Sequence, residues 1–126
     1  MTWKTIRLEL ARTRDFPEGS TARQYILTLP LDDGDRIDAA AIEAEPARAT
    51  VRRIWDGESD RHGYVIPTGR GWALSYAVGD DDDEPIFHLE THRIRAGEYL
   101  TVTENDGEVQ PFRIAECEAA QTAGSE

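Results

Sequence analysis

The stretch Ile86–Ile114, IFHLETHRIRAGEYLTVTENDGEVQPFRI, decides how this chain is read. Its second half holds two runs of strand-forming residues, Tyr99–Thr103 and Val109–Ala115, on either side of Glu104-Asn105-Asp106-Gly107-Glu108. Asn and Gly tolerate the positive φ that a tight hairpin needs, so this is the strongest turn signal in the chain. The first half is less clear. Pro85 and Gly97 would suit the two ends of a helix, with Arg93 and Arg95 in its last turn. The apolar residues Ile86, Phe87, Leu89 and Ile94 make no helical stripe, however, whereas Phe87, Leu89 and Thr91 alternate, which favours a strand over Ile86–Ile94.

Working outward, the same period of two recurs. Ile6, Leu8 and Leu10 share one parity near the amino terminus, and Tyr25, Leu27, Leu29 and Leu31 share one in QYILTLPL. Residues 49–55, ATVRRIW, are strand-forming by their β-branched and aromatic content. Gly63–Pro67 and Trp72–Val78 read as a hairpin about Thr68-Gly69-Arg70-Gly71, with Trp72, Leu74, Tyr76 and Val78 on one face. Ile37–Ala44 is the one helical stretch, with Asp35 or Asp38 as its amino-terminal cap and Pro46 just beyond its end. The sequence therefore predicts a mainly β protein: a single-domain antiparallel β-barrel or sandwich of about seven to eight strands with one short helix. Residues 1–118 form the domain in this reading, and 119–126 a flexible C-terminal tail.

Composition narrows the function classes. At 126 residues, with 39% hydrophobic and 31% charged side chains, the chain has the material for one folded core. The net charge of −11 lies wholly in residues 56–126, since residues 1–55 carry nine basic and nine acidic side chains. That sign disfavours nucleic acid and anionic membrane as partners. A single cysteine, Cys117, fits a reducing, cytoplasmic setting, and its glutamate neighbours mark it as packing rather than a nucleophile. The four serines sit in no nucleophile elbow, and no glycine-rich phosphate loop is present.

The expected function is a non-enzymatic module that binds a protein or small-molecule partner and needs no cofactor. The alternative is a metal-binding protein or metal-dependent enzyme. On a strand His88, Glu90 and His92 point to one face, neighbours two apart being roughly 6.6 Å apart at Cα, close enough to share a divalent ion. Such a site needs completion from elsewhere, and Asp82, in the acidic run Asp80–Glu84, or His62 would supply it. The run itself offers the oxygen ligands that calcium or magnesium prefer but lacks the spacing of an EF-hand, so it reads first as a solvated loop. The arginines are expected to pair with carboxylates, and alternation sets Arg52 and Arg53 on opposite faces of their strand.

Overall fold

The computed structural model describes residues 1–68, 71–76, 84–87, 93–103 and 107–119. They form eight antiparallel strands, β1 (Thr2–Leu10), β2 (Ser20–Leu31), β3 (Thr50–Trp55), β4 (Arg61–Thr68), β5 (Gly71–Ser75), β6 (Glu84–Phe87), β7 (Tyr99–Thr103) and β8 (Val109–Ala119). Each pairs with the next in sequence, and β8 pairs back onto β1, so the sheet closes into a barrel rather than splitting into a sandwich. Closure removes both sheet edges, which an eight-stranded sheet would otherwise expose to pairing with other chains.

The alternating residues of the sequence line the inside. Ile6, Leu8, Tyr25, Leu27, Leu29, Phe112 and Ile114 have no exposed surface, and Leu31, Leu74, Leu100 and Val102 have almost none. A barrel of eight strands has an interior just wide enough for such side chains to fill. Aromatic rings close the packing at the end where β1 finishes and β2 begins. Tyr25 meets Phe112 edge-on at 5.0 Å between centroids and Trp55 at 5.7 Å, geometries that suit the ring quadrupole.

The other end is covered by the β2–β3 connection, which holds helix α1 (Ala39–Ala44) and a single 3-10 turn at Pro46–Arg48. Asp38 is the cap: its carboxylate accepts from the Ala41 amide at 3.1 Å, meeting one of the amides that a helix start leaves unpaired. Asp35, the other candidate, has a different task. Its φ of 62° turns the chain, its side chain faces Lys4 at 3.8 Å and Arg95, and its carbonyl accepts from the Ile94 amide at 2.7 Å. It thus ties the start of the β2–β3 connection to the segment that leads into β7.

Three expectations need correction. The strand expected over Ile86–Ile94 is β6, which starts earlier, at Glu84, and Arg93–Arg95 are not strand. Ile94 is buried, but the chain bends just after it: the Glu98 amide bonds to the Arg95 carbonyl at 3.1 Å and Gly97 has φ 95°. Glu84, expected in a solvated acidic run, instead pairs with Leu74 across β5–β6 and is 1% exposed. β8 runs through Ala119, which pairs with Lys4, and residues 120–126 lie outside the described set.

Candidate functional site

His88, Glu90, His92 and Asp82, the residues expected to hold a metal, lie outside the described residues. His62 stands on β4, opposite Arg52 of β3. Among the described residues no three His, Cys, Asp or Glu side chains gather as a metal site would require. Glu84 is committed elsewhere, as follows.

Its carboxylate lies inside the barrel at the end lined by Tyr25, Trp55 and Phe112. Oε1 accepts from the hydroxyl of Tyr25 at 3.0 Å and from that of Tyr76 at 2.7 Å, while Oε2 lies 3.8 Å from Nε of Arg53. Arg53 is itself 8% exposed; it stacks on Trp55 at 3.9 Å and donates to Glu58 at 3.0 Å. The guanidinium of Arg61 lies over the Tyr76 ring at 4.5 Å. Burial pushes the Glu84 carboxyl above its ordinary range, against the opposing pull of the Tyr76 hydrogen bond and the Arg53 charge. The same burial, helped by the Glu84 charge, holds both tyrosines far above the usual phenol range, so they stay protonated donors.

Gly63 makes this arrangement possible. A Cβ there would lie 2.0 Å from the Ser75 carbonyl oxygen and 2.9 Å from Cα of Tyr76. The chain leaving β5 therefore crosses directly over Gly63, and that crossing carries Tyr76 to Glu84. Ion pairing inside a barrel is costly unless every group is satisfied. Here the tyrosines use their hydroxyls on Glu84, and Arg53 bonds to Glu58 and stacks on Trp55, while its Nε, 3.8 Å from Glu84, makes an ionic rather than a hydrogen-bonded contact there. The cluster is a polar plug of one barrel end.

The outer wall offers open space. Tyr99 of β7 pairs with Arg113 of β8, which pairs with Glu9 of β1. These three side chains form a row across three strands, on the face opposite Leu8, Leu10, Phe112 and Ile114. Beside the row the β1–β2 ladder breaks: Glu9 pairs with Gln24 but Leu10 with Ser20, so Thr21–Arg23 loop out of the pairing with β1. Bulges of this kind re-aim the chain and occur next to functional sites. The β1–β2 loop is held by bonds from Thr13 N and Gly19 N to the Phe16 carbonyl, both at 2.9 Å, and by the bond from Ala11 N to the Pro111 carbonyl. Gly19, at φ 77°, approaches so closely that a Cβ would lie 2.5 Å from the Leu10 carbonyl oxygen.

Between row, bulge and loop lies a recess of about 590 Å³. Glu9 and Arg113 face each other there at 3.5 Å. Arg12 and Glu18 also line it, and among the described residues neither has an ion-pair partner. Tyr99 is 55% exposed. A second recess, of about 420 Å³, lies on the outer wall of β2, β3 and β4, between the cross-strand rows Ile26–Arg52–His62 and Thr28–Thr50–Tyr64. Its one guanidinium is already held by Asp60, through Nε at 2.9 Å and Nη2 at 2.6 Å.

Cys117 is half-buried, its thiol bonded to the Ile94 carbonyl at 3.5 Å. Burial raises its pKa, a direction expected from its glutamate neighbours but produced chiefly by desolvation. Arg7, Arg23, Arg48, Arg52, Arg53, Arg95 and Arg113 pair with carboxylates as expected, whereas Arg12 does not among the described residues, and Glu116, Arg7, Glu9 and Arg113 form a continuous chain of charges across β8 and β1. No helix among the described residues is long and apolar enough to cross a membrane. No family model, no curated protein and no solved structure matches this chain.

Proposed function

We propose that this chain is a non-enzymatic binding module that takes a small molecule on its outer wall, in the recess between the β1–β2 loop and the Tyr99–Arg113–Glu9 row. The observation that carries this reading is where space and uncommitted polar groups coincide. The barrel interior is occupied by its own side chains, and the buried Glu84 is bonded to two tyrosines. The recess, at about 590 Å³, falls in the size range of ligand sites. It also holds two charged side chains, Arg12 and Glu18, with no ion pair among the described residues. The wall of β2–β4 is the weaker candidate because Asp60 already occupies Arg52. A cytoplasmic setting without a nucleic-acid partner completes the reading, supported by the lone Cys117 and the net charge of −11.

The test is a two-dimensional amide NMR screen of the labelled protein against a library of small polar metabolites. The expected result is saturable shifts confined to Glu9–Arg12, Gly19–Ala22, Tyr99 and Arg113. Shifts confined instead to Ile26, Thr28, Thr50, His62 and Tyr64, or no saturable shift at all, would overturn it.

A further inference from the structure

We infer that the recess beside the β1–β2 bulge takes a neutral saccharide, an inference that rests on the reading of this recess as the ligand site. Three features of its lining point the same way. Its charges balance, Glu9 and Glu18 against Arg12 and Arg113, so nothing in it selects a ligand of either net charge. Its strongest polar groups are of single character: ionised carboxylates only accept hydrogen bonds and guanidiniums only donate them. A hydroxyl does both, so a ligand with several hydroxyls around a ring can donate to Glu18 while accepting from Arg12 and Arg113, Glu9 being already paired with Arg7 and Arg113. A purely anionic ligand would set its charge against two carboxylates, and a purely cationic one against two guanidiniums. Charge-assisted bonds of this type are about twice as strong as those between neutral groups, which lets them compete with water for a ligand that water already solvates well.

The third feature is Tyr99. The residue is 55% exposed on the outer wall, next to Arg113 in the register of β7 and β8. An exposed aromatic residue beside polar groups suits a ligand with one apolar C–H face and polar edges, as a pyranose ring has. The hydroxyl of Ser20 lies at the same mouth, although it already accepts from the Ala22 amide at 3.1 Å.

The experiment is an amide NMR titration of the full chain with glucose, galactose, mannose, maltose and lactose. Parallel titrations use glucuronate as the anionic sugar, glucosamine as the cationic one and glycine as a zwitterion. At least one neutral saccharide should give saturable millimolar or tighter binding that shifts Arg12, Ser20, Thr21, Tyr99 and Arg113. It should bind no more weakly than its charged counterparts. Tyr99→Ala and Arg12→Met should each weaken that binding by about tenfold, one factor of ten being 1.4 kcal/mol. Tyr64→Ala, on the other wall, should leave it unchanged, with equal melting temperatures showing that all three variants are folded. Saturable shifts at the same amides produced only by glucuronate, glucosamine or glycine would overturn the saccharide class while leaving the recess as the site. Indifference to Tyr99→Ala would also overturn the class. No saturable shift at these amides with any of these ligands or in the metabolite screen would overturn both readings.

Discussion

Replacing Glu84 by leucine removes the carboxylate that the hydroxyls of the buried Tyr25 and the half-buried Tyr76 share. Tyr25 and Tyr76 reach Oε1 at 3.0 and 2.7 Å, and both would be left inside the barrel without it. An unsatisfied buried donor costs about 1–3 kcal/mol, so the fully buried Tyr25 loses about that much and the half-buried Tyr76 at most as much again, before any loss at Arg53. Total stability of a domain is about 5–15 kcal/mol, so Glu84→Leu should remove a large share of it. The informative comparison is Tyr76→Phe in both backgrounds. In the natural chain it deletes a hydrogen bond to a charged group and should cost about 1.5–3 kcal/mol. In the Glu84→Leu background it deletes a hydroxyl that has lost its acceptor, and should be neutral or stabilising. The double-mutant coupling is then at least about 1.5 kcal/mol. Urea unfolding at neutral pH, followed by tryptophan fluorescence and far-ultraviolet circular dichroism with unchanged m-values, measures all four stabilities. A Tyr76→Phe cost that is the same in both backgrounds, with coupling below about 0.5 kcal/mol, would refute the account of the plug.

Gly63→Ala should destabilise by about 3 kcal/mol or more, because the new methyl group meets backbone at 2.0 Å and backbone cannot swing aside; Gly57→Ala, with φ 79° but open space, should cost only about 1–2 kcal/mol by the same urea assay. Asp38→Ala should cost about 1 kcal/mol and fray α1, visible as faster amide exchange at Ala41. The Arg95 hydrogen bond, with Lys4 and Arg93 adding charge, holds the Asp35 carboxyl below its ordinary range. A depressed pKa means the folded state binds its proton later than the unfolded one, so the contribution is complete above the ordinary Asp range of about 4 and lost as the pH falls below it. Arg95→Met should therefore lower the melting temperature at neutral pH and make little difference near pH 2; an equal deficit at both would contradict the pairing.

The inward faces of β1 and β2 were legible because Ile6, Leu8 and Leu10, and Tyr25 to Leu31, alternate without interruption, and period two has one physical meaning. Closure was not legible, since it depends on β8 meeting β1, and no local pattern encodes a partner more than a hundred residues away. Alternation separated Arg52 from Arg53 but gave no reason to send either inward; the signal lay in the flanking Val51 and Trp55, which share the parity of Arg53 and are both buried. Glu84 was hidden more deeply. It follows four aspartates, and a carboxylate in such a run is ordinarily solvated; only its register with Leu74 and the approach of Tyr76 over Gly63 bring it inside. The outer recess was equally silent, because a bulge that loops Thr21–Arg23 out of the β1 pairing depends on the neighbouring strand, and polar residues in a loop look alike whether or not they line a hollow.

The pairing of β1 with β8, from Lys4 opposite Ala119 to Leu10 opposite Phe112, has a consequence for how the molecule assembles. The other strand pairs join neighbours in sequence and can form locally, but this seam waits until nearly the whole chain has been gathered. The entropy of closing so long a loop is spent before its hydrogen bonds return anything, and folds rich in such contacts take milliseconds to seconds. The seam is then the slow step of folding, and the amides of β1 and β8 that face each other should be the last to gain protection in pulsed hydrogen exchange. Until it closes, the open sheet carries two unpaired edges at once, and the time spent in that state sets how readily the chain aggregates during refolding.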